Sequence, residues 1–73
     1  MTLPITRLRS ASPEELQKLQ DAGIETIDAF YNLASHKDTR AELAQKTGLP
    51  DASLEAWASE ADNIMLIAAM MQS

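Results

Sequence analysis

At 73 residues, with eleven acidic side chains against six basic ones and a formal charge of −5, this chain is one small acidic domain with a thin core. That charge repels phosphate backbones and anionic membrane surfaces at long range, so nucleic-acid binding would need a strongly local basic patch. The absence of cysteine excludes a disulfide staple and a thiolate metal site, and fits a reducing, cytoplasmic setting.

The opening segment Leu3-Pro4-Ile5-Thr6-Arg7-Leu8 places Ile5 and Leu8 at the spacing of a short helical turn, and it lacks the continuous apolar core of a signal peptide. Ser12, Pro13 and Glu15 form a helix-start signal: a capping serine, a proline at the first helical position and the reciprocal glutamate of a capping box. This first helix runs through Leu16 and Leu19 and stops at Gly23, which takes a left-handed conformation without steric cost. Thr26 is expected to cap a second helix with Ile27, Phe30, Tyr31, Leu33 and Ala34 at helical spacing. Asp38 is expected to cap a short third helix that ends at Gly48, with Leu43 and Ala44 facing inward. Pro50 or Asp51 opens the fourth helix, with a buried stripe of Leu54, Trp57, Ala58, Ala61 and Ile64 or Met65. No segment alternates with period two, so the fold is expected to be all-α, a small bundle of four to five helices in a single 1–73 domain.

From Arg40 to Trp57 the chain has the local grammar of a helix-turn-helix. A DNA-reading second helix would carry basic or amide side chains toward phosphates and base edges. Here it carries Asp51, Glu55, Glu60 and Asp62, with no Lys or Arg after Lys46. Further on, Ile64-Met65-Leu66-Ile67-Ala68-Ala69-Met70-Met71 is apolar on every side of the helix and far shorter than the roughly 20 residues of a membrane span. Leu66, Ile67 and Met70 point away from the buried stripe, and methionine suits an adaptable contact. Two readings stand: residues 62–73 form an intermolecular surface, or the N-terminal arm folds over them as ordinary core.

Other reactive residue types have plain structural explanations. His36 is the single histidine, in a polar loop beside Lys37 and Asp38, without the convergent ligands of a catalytic or metal site. Ser10, Ser12, Thr26 and Ser53 suit caps and turns, with no base placed to activate them. The acidic positions of the fourth helix lack calcium-loop spacing, so no cofactor or metal is expected. Arg7, Arg9, Lys37, Arg40 and Lys46 make a small cationic spot if the first turn and the third helix lie together, and scattered solvated charges if they do not.

Two stretches carry a family likeness. Leu3-Pro4-Ile5, Leu8-Arg9-Ser10-Ala11-Ser12-Pro13 and Leu16 through Ala22-Gly23-Ile24-Glu25-Thr26 resemble a helix-hairpin-helix unit over residues 3–23 and its following helix start. Asp38-Thr39-Arg40-Ala41-Glu42-Leu43-Ala44-Gln45-Lys46-Thr47-Gly48-Leu49, with Trp57 and Ala61-Asp62 beyond it, is similar to the middle of a bacterial family of uncharacterised helix-hairpin-helix-containing, SAM-like small domains. The resemblance spans residues 3–62 and implies the fold; that family has no settled activity. The usual glycine hairpin binds phosphate through backbone N–H groups. Ser10-Ala11-Ser12-Pro13 stands in its place here, and no second hairpin follows Ala61-Asp62, so the chain looks like a half-length member with a degenerate hairpin.

The resulting expectation is a non-catalytic protein-interaction module, an accessory subunit or adaptor. It would dock on a protein partner or a second copy through Ile64, Leu66, Ile67, Met70 and Met71, with the acidic fourth helix steering orientation. The alternative is a sequence-independent DNA-binding module that uses Arg7, Arg9, Ser10, Ser12, Lys37 and Arg40.

Overall fold

A 3-10 turn at Ile5–Arg7 and four helices, α1 (Pro13–Asp21), α2 (Ile27–Ala34), α3 (Lys37–Thr47) and α4 (Asp51–Gln72), make up the computed structural model, which describes residues 3–72. Met1, Thr2 and Ser73, which belong to the expected 1–73 domain and its 62–73 tail, lie outside the described residues. No strand occurs among the described residues, and the fold is all-α.

Local chemistry sets most of the helix ends. At α1 the Glu15 N–H donates to Ser12 Oγ (3.2 Å) and the Ser12 N–H donates to Glu15 Oε1 (2.8 Å), the capping box that the sequence spells. At α2 the Ala29 N–H donates to Thr26 Oγ1 at 3.2 Å. Gly23 (φ 89°) and Gly48 (φ 76°) turn the chain after α1 and α3 in the left-handed region. The start of α3 differs from expectation. His36, not Asp38, is the N-cap, and its side chain makes no capping bond. Only Ser35 and His36 separate α2 from α3, too short a connection for Asp38 to stand outside the helix. Thr39 Oγ1 instead donates to the Leu33 and His36 carbonyls and so joins the two helices.

The core is apolar throughout. Ile5 and Leu8 from the first turn, Leu19 from α1, Ile27, Phe30 and Ala34 from α2, and Leu43 from α3 are buried against Leu54, Trp57, Ala58 and Ala61 of α4. The expected stripe on α4 is the observed one, with Ile64 and Met65 half-buried at its edge. The N-terminal segment is held by two backbone bonds: Ile5 N–H donates to the Glu25 carbonyl (2.9 Å) and Ile27 N–H to the Leu3 carbonyl (2.8 Å). The second of these satisfies an N–H of the first turn of α2 that has no partner within its own helix. At 22 residues α4 is about 33 Å long, comparable with the 38 Å long axis of the molecule. Residues 62–72 therefore continue the helix of 51–61 without a break.

Candidate interaction groove

Along its second half α4 changes from core helix to surface helix. Leu66 is 58% exposed, Ile67 52%, Met70 62% and Met71 81%. A groove of about 760 Å³ opens between this half of α4 and the N-terminal segment. Leu3, Ile64, Ile67, Ala68 and Met71 give it an apolar floor, and Thr6, Arg7, Arg9 and Glu60 line its polar side. At about 100° per residue, Ile64, Ile67 and Met71 fall within roughly 40° of Glu60. The groove wall thus runs on around the helix into the outward stripe of Leu66 and Met70. The N-terminal arm does reach this helix, through Leu3, but it leaves most of the stripe bare.

Glu60 closes the inner end of the groove. Its Oε2 accepts from the Arg9 N–H at 2.8 Å and its Oε1 from the Ser10 N–H at 3.2 Å. Burial alone raises this carboxyl's pKa. The hydrogen bonds from Arg9 and Ser10 and the nearby Arg9 charge outweigh that effect and hold it below its ordinary value. The loop before α1 therefore already holds an anion supplied by its own chain. Ser12 is occupied by the capping box.

The candidate cationic spot is divided. Arg40 is largely buried, its side chain 14% exposed, and its Nε lies 3.1 Å from Asp51 Oδ1 with a terminal nitrogen 3.8 Å from Glu55. Its other terminal nitrogen donates to the Ala34 carbonyl at 3.1 Å, where a cation suits the end of α2. Asp51 and Glu60, nine residues apart, project from opposite sides of α4 and about 13 Å apart along its axis. Arg40 therefore lies far from Arg7 and Arg9. Lys37 is exposed in the first turn of α3. Among the described residues neither Arg7 nor Arg9 forms an ion pair, so the groove keeps two cationic side chains on one wall. Three of the four acidic side chains of α4 are likewise committed, since Asp51 and Glu55 meet Arg40 and Glu60 meets the loop, while Asp62 is exposed. His36 is exposed, its Nδ1 3.1 Å from Ser35 Oγ and 3.3 Å from the Asn32 carbonyl oxygen.

Sequence reasoning missed Glu60 as a tether and Arg40 as a clamp across α2, α3 and α4. Glu60 lies 51 residues from Arg9, and nothing in one sequence signals such a pairing. No helix among the described residues is long and apolar enough to cross a membrane. No curated protein and no solved structure matches the chain. One family model does, over residues 9–73, and by that match the chain belongs to the family described as Domain of unknown function (DUF4332).

Proposed function

We propose that this chain is a non-catalytic protein-interaction module, a small accessory subunit or adaptor in a larger assembly, that docks through the C-terminal half of α4. One observation carries the reading: Leu66, Ile67, Met70 and Met71 are each more than half exposed on a single continuous helix. Soluble domains rarely leave such a contiguous apolar surface without a use for it. Ile64 forms the inner edge of the surface, where it meets the core. Steering charge comes from Arg7 and Arg9 on the groove wall, because three of the four carboxylates of α4 are engaged within the fold. The lack of cysteine supports a cytoplasmic setting.

The order of short turn, tight loop and α1 supports reading residues 3–23 as a degenerate helix-hairpin-helix unit. The Glu60 carboxylate on the Arg9 and Ser10 N–H groups weighs against the DNA-binding alternative, since a phosphate would have to displace it.

The test is the double substitution Ile67→Asp and Met70→Asp. Circular dichroism should show helicity near that of the unaltered chain, while retention of a partner in pull-down is lost. A collapse of helicity instead would place these side chains in the core and end the reading.

A further inference from the structure

We infer that the occupant of this face is a second copy of the same chain, its α4 lying antiparallel across the first about a two-fold axis near Ile67. The inference rests on the docking reading above and adds partner and orientation.

Charge argues first for self-pairing. The molecule carries −5, yet Asn63 to Gln72 contains no ionisable side chain, so two copies meet here without like charges face to face. Charge then selects the orientation. Arg7 and Arg9 stand at the Glu60 level of the groove, without an ion-pair partner among the described residues. Parallel helices would bring the two pairs of arginines level with each other. Antiparallel helices centred on Ile67 set them at opposite ends, 14 residues or about 21 Å apart along the axis. That exceeds the Debye length of about 8 Å at physiological salt, so the repulsion is screened. Opposed helix dipoles favour the same arrangement.

Size agrees. Side chains more than half exposed at positions 66, 67, 70 and 71 present an apolar patch on the order of 500 Å². The groove walls extend it toward the ~800 Å² per partner of a standard interface. In the antiparallel register Ile67 meets Ile67 of the second copy, and Asn63 meets its Met71. A two-fold contact of this kind is closed, so it gives a dimer rather than a filament.

The experiment uses the absence of natural cysteine. Light scattering over a dilution series should give twice the 8.0 kDa chain mass at high concentration, with Ile67→Asp remaining at chain mass and helical. Under mild oxidation Ile67→Cys should cross-link with itself. Asn63→Cys and Met71→Cys should cross-link when mixed and not when alone. Chain mass at every concentration, with Ile67→Asp still helical, overturns the second copy and leaves the docking reading standing. Cross-linking of Asn63→Cys alone overturns the antiparallel order. Loss of helicity in Ile67→Asp overturns both readings together.

Discussion

Replacing Glu60 by Gln removes a charge that the fold uses, and its effect must depend on pH. The folded carboxyl is held below its ordinary value, because the bonds from the Arg9 and Ser10 N–H groups outweigh the penalty of burial. A depressed carboxyl stabilises the folded state at pH above its unfolded pKa, and that contribution vanishes as pH falls through the folded pKa. Glu60→Gln should therefore unfold at a lower temperature than the unaltered chain at neutral pH. The gap should close in acid, below the ordinary range of a glutamate, and thermal melts across that range read it directly. From sequence, Glu60 counted as one more member of an acidic face. Its role depends on a fold that brings the loop of residues 9–10 beside the third turn of α4, and helical periodicity carries no information about that distance. Arg40 escaped in the same way. A lone arginine in a helix reads as a surface cation until Asp51, Glu55 and the Ala34 carbonyl are seen around it.

Between elements, the turn from α3 to α4 depends on Gly48 at φ 76°. A Cβ there would meet nothing within 4 Å, so the cost of Gly48→Ala is confined to the left-handed backbone. It should lower stability by about 1–2 kcal/mol in urea unfolding, with Gly48→Asn closer to the unaltered chain. Helix ends of this kind were legible because the chemistry is local: Ser12 with Glu15, Thr26, Gly23 and Gly48 act within four residues of themselves. Asp38 failed as a cap for a reason that is not local. The α2–α3 connection is two residues long, so the helix begins before Asp38 and the junction is tied by the Thr39 hydroxyl instead.

For the molecule as a whole, the core is one small cluster in which Leu54, Phe30, Leu19, Ile27 and Ile5 are fully enclosed. Leu54→Ala should cost about 2–5 kcal/mol, a large share of the stability of so short a domain. Leu66→Ala, measured by the same urea titration below any dimer concentration, should stay within about 0.5 kcal/mol. The all-α architecture and the outward face of α4 were readable from spacing alone, since both follow from the 3.6-residue period. The groove was not, because its other wall is the N-terminal segment, held by the Leu3 carbonyl on the Ile27 N–H.

That single helix spans two environments. From Asp51 to Ala61 it is held by buried core side chains, whereas from Asn63 to Gln72 only Ile64, Met65 and Ala68 pack against the core, and those in part. Ten residues fall short of the ~12–15 at which a helix persists unaided in water, so this half borrows its nucleus from the turns before it. Whatever settles on the face therefore slows the transient opening of the turns beneath it while leaving their average helicity as it is. The amide protons of the last turns report occupancy without any label on the partner.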